Sequence, residues 1–171
     1  MRFIISENRL EKYCGDDTEV ILPPVATIAP LAFALNNTVK HVIIPDTVTA
    51  IQENTFKCCY ALEAITLPPR LQYLGKGAFN NCHSLREISI PEGIVEIPEF
   101  YFFACTALKQ VQLPSTLARI GKGAFELCLQ LSADSLHISS RTSVEPSAFK
   151  NCCPLERERS IPVTRKQRQL K

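Results

Sequence analysis

The sequence lacks long apolar runs, tryptophan and an excess of charge of either sign. No segment approaches the roughly 18–20 apolar residues that a membrane-spanning helix needs. The first apolar run, Phe3–Ile5, is much shorter than the roughly 7–15 residues of a secretory signal core. The formal net charge of +2 gives no overall attraction to nucleic acid or membrane. We therefore expect a cytoplasmic protein if Met1 is the true start, and an extracellular or cell-surface protein if the chain is a fragment of a secreted one.

Common motifs of catalysis and ligand binding are also missing. No Gly-x-Ser-x-Gly, His-Glu-x-x-His, Gly-x-x-x-x-Gly-Lys-Ser/Thr or Cys-x-x-Cys occurs. The adjacent cysteines at 58–59 and 152–153 leave zinc as an alternative, but they are far apart in the chain. Gly-Lys-Gly occurs at 75–77 and 121–123, where glycines suit tight turns better than a phosphate loop. We predict no enzymatic activity, no cofactor and no metal site.

What the sequence does contain is a repeat of about 23 residues. One phase holds phenylalanine in six copies, separated by 23, 23, 23, 23 and 24 residues: Phe33, Phe56, Phe79, Phe102, Phe125 and Phe149. Three residues later come Asn36, Cys59, Cys82, Cys105, Cys128 and Cys152. Each copy is too short to bury its own apolar face, so copies must stack to make a continuous core.

The cleanest copy runs from Gly75 to Ile97 and indicates the local structure. Ile88, Ser89 and Ile90 alternate between apolar and polar, which predicts a strand with one buried face. Pro91 has no backbone donor and ends the ladder. The segment around Phe79 predicts a short helical turn of 3₁₀ or α type. The whole pattern therefore predicts a solenoid of about six coils with a parallel sheet.

The motif Ala-Phe-x-x-Cys-x-x-Leu-x-x-Ile-x-Ile-Pro at 78–91 resembles the BspA-like, or Treponema-type, leucine-rich repeats. Residues 10–13 and 17–23 are similar to the usual first unit of such arrays. The resemblance implies an α/β fold class, a right-handed leucine-rich-repeat solenoid with a concave parallel β-sheet and short helical turns. It also implies a bacterial or protist origin, and some members of the family are surface adhesins for host proteins.

Departures from the repeat indicate the ends of the array. A turn signal at 7–8 between two apolar segments predicts an N-terminal hairpin cap over residues 1–21. The array then covers 22–155, and a terminal rung with a basic tail covers 156–171. In the fifth copy we place Leu136 and Ile138 in the core after a two-residue insertion. The tail has six basic and two acidic residues without interleaved aromatic residues, so we expect no nucleic-acid site there.

Five of the eight cysteines occupy one repeat position. Their side chains are expected to point the same way on successive coils, whereas a disulfide needs converging side chains. We therefore predict reduced thiols buried in the core.

The outward strand positions form the candidate binding surface. They lie in two columns, His41, Ala64, Glu87, Gln110 and Ser135, and Ile43, Thr66, Ser89, Gln112 and His137. These mixed, mostly uncharged side chains suit a flat surface, and we predict a protein-binding scaffold whose concave face takes a protein or peptide. Two alternatives stay open: an adhesin, or a fragment of one, that binds host proteins, and a self-associating structural element.

A second candidate surface is the aromatic segment at 100–103. Phe102 holds the repeated core position, whereas Phe100, Tyr101 and Phe103 align with small or polar residues elsewhere and are expected to face solvent. An exposed aromatic cluster is often a contact site. We predict contact with a partner or a second copy, with local packing over the adjacent coil as the alternative.

Overall fold

A computed structural model describes residues 2–132 and 135–152. The chain begins with β1 (Phe3–Ser6) and β2 (Arg9–Tyr13), which pair antiparallel. Glu7 and Asn8 connect them with φ angles of 47° and 62°, the backbone of a tight hairpin turn. The predicted hairpin is therefore confirmed.

After the hairpin, the strands build two parallel sheets. We call the sheet of three-residue strands the front sheet: β3 (Glu19–Ile21), β5 (His41–Ile43), β7 (Ala64–Thr66), β9 (Glu87–Ser89) and β11 (Gln110–Gln112). The rear sheet contains β4 (Thr27–Ile28), β6 (Ala50–Ile51), β8 (Tyr73–Leu74), β10 (Glu96–Ile97), β12 (Arg119–Ile120) and β13 (Ser143–Val144). β2 pairs in parallel with β4 and so starts the rear sheet. The result is a parallel β-solenoid of about five turns.

The burial of the front strands follows the predicted alternation. The middle residue of each strand is buried, and its two neighbours face outward. β3 lies within the segment assigned to the cap, but it pairs in register with β5 and is the first rung of the front sheet. The terminal rung and tail, 156–171, lie outside the described residues.

The core is a column of aromatic rings along the solenoid axis. The six repeated phenylalanines are buried, and Tyr13 from β2 stacks on Phe33 at the N-terminal end with ring centroids 4.9 Å apart. Phe125 and Phe149 stack at 5.1 Å at the other end. Aromatic stacking across coils therefore gives the array a continuous core.

The predicted helical turns around the phenylalanines are not confirmed: within residues 2–132 and 135–152 the structure has no α-helix, and the residues around each phenylalanine form turns. In the first five turns the residues two before and two after the phenylalanine adopt left-handed backbone, as Leu31 and Leu35 do with φ of 61° and 65°. Right-handed helix cannot continue through these positions.

Alternate N–H groups of the turn bond in different directions. Ala34 donates to Leu31 O within the turn at 3.1 Å, whereas Phe33 donates to Thr55 O of the next coil at 2.9 Å. Half of the donors are therefore used to join coils, which a helix would not allow. The stacked turns form a third hydrogen-bonded ladder, which we call the turn column.

Candidate functional site

The outward face of the front sheet is the surface that the strand pattern predicts for binding. His41, Ile43, Thr66, Glu87, Ser89, Gln110 and Gln112 are exposed there, and Ala64 is half-buried. A groove of about 440 Å³ crosses β7, β9 and β11, with Thr66, Leu67, Ser89 and Gln112 in its lining. The predicted residues of four successive rungs therefore do share one surface, and Ser135 and His137 are the exceptions.

The placement of His137 in this sheet is not supported. His137 is exposed and Leu136 is buried, as expected, but no strand is formed at 136–138 in the described part of the chain. More residues separate Leu131 from Leu136 than separate the equivalent positions of the other coils, and Ser135 N–H bonds back to Ser132 O in a turn. This insertion explains why no strand forms at 136–138. The front sheet therefore ends at β11.

Sequence reasoning missed the apolar end of this face. Ile21 on β3 is 70% exposed, and its register partner Ile43 is 48% exposed. The signal was present, because Glu19-Val20-Ile21-Leu22-Pro23 has the same pattern as residues 41–45. Assigning residues up to 21 to the cap hid this match. The face thus changes from apolar at its N-terminal end to polar in the middle.

Charged residues line one border of the front sheet, immediately before the strands. The Glu63 carboxylate contacts both Lys40 Nζ and Arg86, each at 3.3 Å. On the sheet itself, Glu19 lies 3.6 Å from His41 Nδ1. These pairs are solvent-exposed, so they contribute little stability and mainly set the sign of charge that a partner would meet.

The aromatic segment is mostly local packing. Tyr101 is 0% exposed, so its predicted place in a contact patch is wrong. The aligned Ala78 and Ala124 are also buried, which shows that this repeat position faces the core rather than solvent. Burial raises the pKa of the Tyr101 hydroxyl well above its usual value, and among the described residues that oxygen has no hydrogen-bond partner.

Phe100 and Phe103 are half-buried and contact each other edge to face at 5.9 Å. The Phe100 ring covers Gly123, where an added Cβ would lie 2.6 Å from Phe100 Cε1, and Lys76 Nζ is 5.4 Å from the ring centroid. Phe100 therefore packs across two neighbouring coils. Contact of Phe100 and Phe103 with a partner stays a prediction.

The cysteine column is a structural ladder. Each thiol donates to the carbonyl of the phenylalanine one coil earlier, as Cys82 Sγ does to Phe56 O at 3.2 Å and Cys105 Sγ to Phe79 O at 3.1 Å. Burial raises the pKa of the Cys105 thiol to about 12. In the first coil Asn36 takes this position, and its Nδ2 donates to Gly15 O at 3.2 Å.

Six cysteines of the described residues are free thiols, and the last four of them are buried: Cys14, Cys58, Cys59, Cys82, Cys105 and Cys128. The prediction of buried, reduced thiols is thus confirmed for those four positions of the column. Within the described residues, no group of three or more His, Cys, Asp or Glu side chains is arranged to hold a metal ion. Nor does any helix there have the length and apolar character needed to cross a membrane.

The BspA type leucine-rich repeat region, in six copies, matches residues 26–156. This chain belongs to that family. The match covers most of the chain and contains every coil that carries the phenylalanine and cysteine columns, except the start of the first. No curated protein matches the sequence.

Solved structures of leucine-rich repeat proteins share the fold of this chain. A T. pallidum leucine-rich repeat protein has 24% identity and a TM-score of 0.71, with 87% of this chain and 78% of that one covered. A Bacteroides ovatus protein has 24% identity and a TM-score of 0.61 over 84% and 45% of the two chains. A leucine-rich cell surface protein of Faecalibacterium prausnitzii has 22% identity and a TM-score of 0.54, over 88% and 52%. The BspA-type chain described here thus spans about half the length of the last two.

Proposed function

We propose that this BspA-type chain is a non-enzymatic scaffold that binds a protein or peptide on its front sheet. The observation that carries the proposal is the groove of about 440 Å³ across β7, β9 and β11, since its lining residue Thr66 is the register partner of the exposed Ile43. A surface with an apolar end and a polar middle, in which Glu87 is the charged strand residue, offers both area to bury and hydrogen bonds for orientation. Repeat families of this kind typically act as binding scaffolds.

The test compares matched charge changes on the two sheets. Ser89→Lys with Gln110→Lys adds two positive charges to the front face, and Gln72→Lys with Ser143→Lys adds two to the exposed rear. A partner is first captured from a native extract with the full chain and identified, and the Kd of each variant is then measured. We expect at least a tenfold weaker Kd for the front variant only, about 1.4 kcal/mol. Equal effects of both variants would reject the front face.

The adhesin alternative concerns where this scaffold acts. The F. prausnitzii neighbour is described as a cell surface protein, and we propose the cell surface for this chain as well. The comparisons give no support to the cytoplasmic alternative. Antibody labelling of intact source cells tests this, because an internal protein is labelled only after the cells are made permeable.

The self-association alternative rests on Phe100 and Phe103. Both rings are half-buried, so a second copy would still have apolar surface to cover. Phe100→Ser with Phe103→Ser is expected to convert a dimer to a monomer in light scattering while the fold is kept. A wild-type chain that is monomeric, with a double variant that only loses stability, would reject this alternative.

A further inference from the structure

Both sheets are interrupted at the same level of the array. In the described residues, no strand ladder joins β7 to β9 in the front sheet or β8 to β10 in the rear sheet. Every other neighbouring pair of these strands is joined, from β3–β5 to β12–β13. We call this level the seam.

Individual amides show the same gap. Ile44 N–H bonds to Thr66 O at 3.2 Å and Ile90 N–H to Gln112 O at 2.9 Å, but within residues 63–103, all described, the equivalent bond from Leu67 to Ser89 O is absent. In the rear sheet, Gln72 donates to Thr49 O and Ala118 donates to Val95 O, both at 2.8 Å. The equivalent bond from Val95 to Gln72 O is likewise absent from that fully described stretch.

The sequence of the seam explains a further missing bond of the rear sheet. The residue after each rear strand normally donates its N–H across the coil: Gln52 to Ile28 O at 3.0 Å, Gly75 to Ile51 O at 2.7 Å, Gly121 to Ile97 O at 2.8 Å and Glu145 to Ile120 O at 3.0 Å. At the seam this residue is Pro98, which has no N–H to donate. The Leu74 carbonyl therefore lacks the cross-coil hydrogen bond that the equivalent carbonyls accept in the other coils.

The loop after β7 has no side-chain link across the seam. Glu92 accepts bonds from the Ser115 backbone and hydroxyl at 3.0 and 2.9 Å, which joins the loops after β9 and β11. The residue that aligns with Glu92 in the loop after β7 is Pro69, which has neither an N–H nor a polar side chain. Among the described residues this link is therefore formed only on the C-terminal side of the seam.

Tyr101 stands where other coils have alanine or threonine, and it packs edge-on against both Phe79 and Phe102. The Phe79 and Phe102 centroids are 5.8 Å apart, the widest spacing among the stacked pairs, which otherwise lie 4.8–5.3 Å apart. The extra ring therefore spreads the coils next to β10.

The turn column remains continuous past the seam. Phe56 N–H bonds to Ala78 O at 2.8 Å and Phe79 N–H to Tyr101 O at 3.0 Å. At the start of β9, Arg86 N–H still bonds to Glu63 O, and their side chains form an ion pair. The two halves are thus joined along one side while both sheets are open.

We propose that the seam is a hinge built into the solenoid, about which the N-terminal and C-terminal coils open while the turn column stays bonded. The groove on the front sheet crosses the seam, and a second cavity of about 330 Å³ lies over it at the rear, between Tyr73 and Val95. Opening widens both together, because the two sheets part at one level. The hinge is a property of the free chain and does not depend on a partner.

Hydrogen exchange of the full chain, resolved to single amides, tests this hinge. We expect Leu67 and Val95 to exchange about tenfold faster than their equivalents Ile90 and Ala118, because one cross-coil bond is missing and the coils open there. Pro98→Gln restores the donor found at Gln52 and should slow both amides together. Pro45→Gln, a proline substitution away from the seam, should leave both unchanged.

A reverse variant checks that the proline is sufficient. Gln52→Pro removes the bond to Ile28 O and should speed exchange of Thr49, which donates to Ala26 O at 2.9 Å in the native chain. If Pro98→Gln slows Val95 but not Leu67, the seam is a local irregularity of the rear sheet and the hinge is rejected. If Leu67 and Val95 are already as slow as Ile90 and Ala118, the hinge is also rejected.

Discussion

The turn column and the front sheet are built by the same repeat but follow different rules. In the turn column, the inward residues are nearly invariant, phenylalanine followed three residues later by cysteine, and the ladder is unbroken. On the front sheet, the outward residues change from coil to coil and the ladder is interrupted at the seam. The difference indicates that packing constrains the inside of the array, whereas the outward residues can vary without loss of the core.

The largest expected effect concerns all buried thiols of the turn column together. Burial raises the pKa of Cys59 and Cys105 from about 9 to about 12, and that of Cys82 and Cys128 well above its usual value. The stability that each buried neutral thiol contributes is fully present below the pKa of the same thiol in the unfolded chain. It is lost as the pH rises above that value, because the unfolded chain then gives up the proton first. Each thiol should lower the free energy of unfolding by about 1.4 kcal/mol per pH unit above pH 9.

Urea unfolding at pH 8, 9 and 10 measures this slope. Cys105→Ala should reduce the fall in the free energy of unfolding above pH 9 by the contribution of one thiol. Cys14→Ser, which changes an exposed thiol, should leave the pH dependence unchanged. Equal slopes for wild type and Cys105→Ala would contradict the burial of a neutral thiol.

The second prediction compares the loss of stability from one substitution in the turn column with that from one on the front sheet. Phe79→Ala removes a fully buried ring from the middle of the column and should cost about 3–5 kcal/mol. Ser89→Ala, on the front face one strand later, should change stability by no more than about 0.5 kcal/mol. Denaturant unfolding measures the loss in free energy of unfolding for each variant. Similar losses for the two would show that the register assigned to the array is wrong.

A smaller effect is expected from Tyr101, the one residue of the turn column with an unsatisfied buried hydroxyl. Tyr101→Phe removes a polar oxygen that has no partner among the described residues, so the variant should be more stable by about 1 kcal/mol. Tyr73→Phe, which loses an exposed hydroxyl bond to Glu53, is the control and should be neutral or slightly destabilising. Loss of stability in Tyr101→Phe would mean that the hydroxyl is bonded in solution.

The smallest expected effect is that of a reductant. Because Cys59, Cys82, Cys105 and Cys128 are buried free thiols, dithiothreitol should leave Tm unchanged. Exposed Cys14 should react with an alkylating agent in the folded chain, while these four buried thiols should react only after unfolding. A fall of Tm by many degrees in dithiothreitol would contradict the free-thiol assignment.

Much of the fold could be predicted because the repeat is periodic. The alternation of Ile88, Ser89 and Ile90 reports which residues face inward, and stacking fixes the same register in each coil. The candidate face followed from this register for eight of the ten residues in the two predicted columns. Ser135 and His137 did not, because an insertion changes the path of the chain without changing the apolar pattern of 136–138.

The sequence by itself determined the repeat, the family and the buried columns, because these depend on apolar periodicity that any stacked coil must satisfy. The tertiary structure decided what depends on backbone direction between coils. Left-handed residues turn alternate N–H groups towards the next coil and replace the expected helix. The burial of Tyr101 and the seam at Pro98 are likewise visible only when neighbouring coils are in place, because each is defined by a hydrogen bond or a space that the adjacent coil supplies.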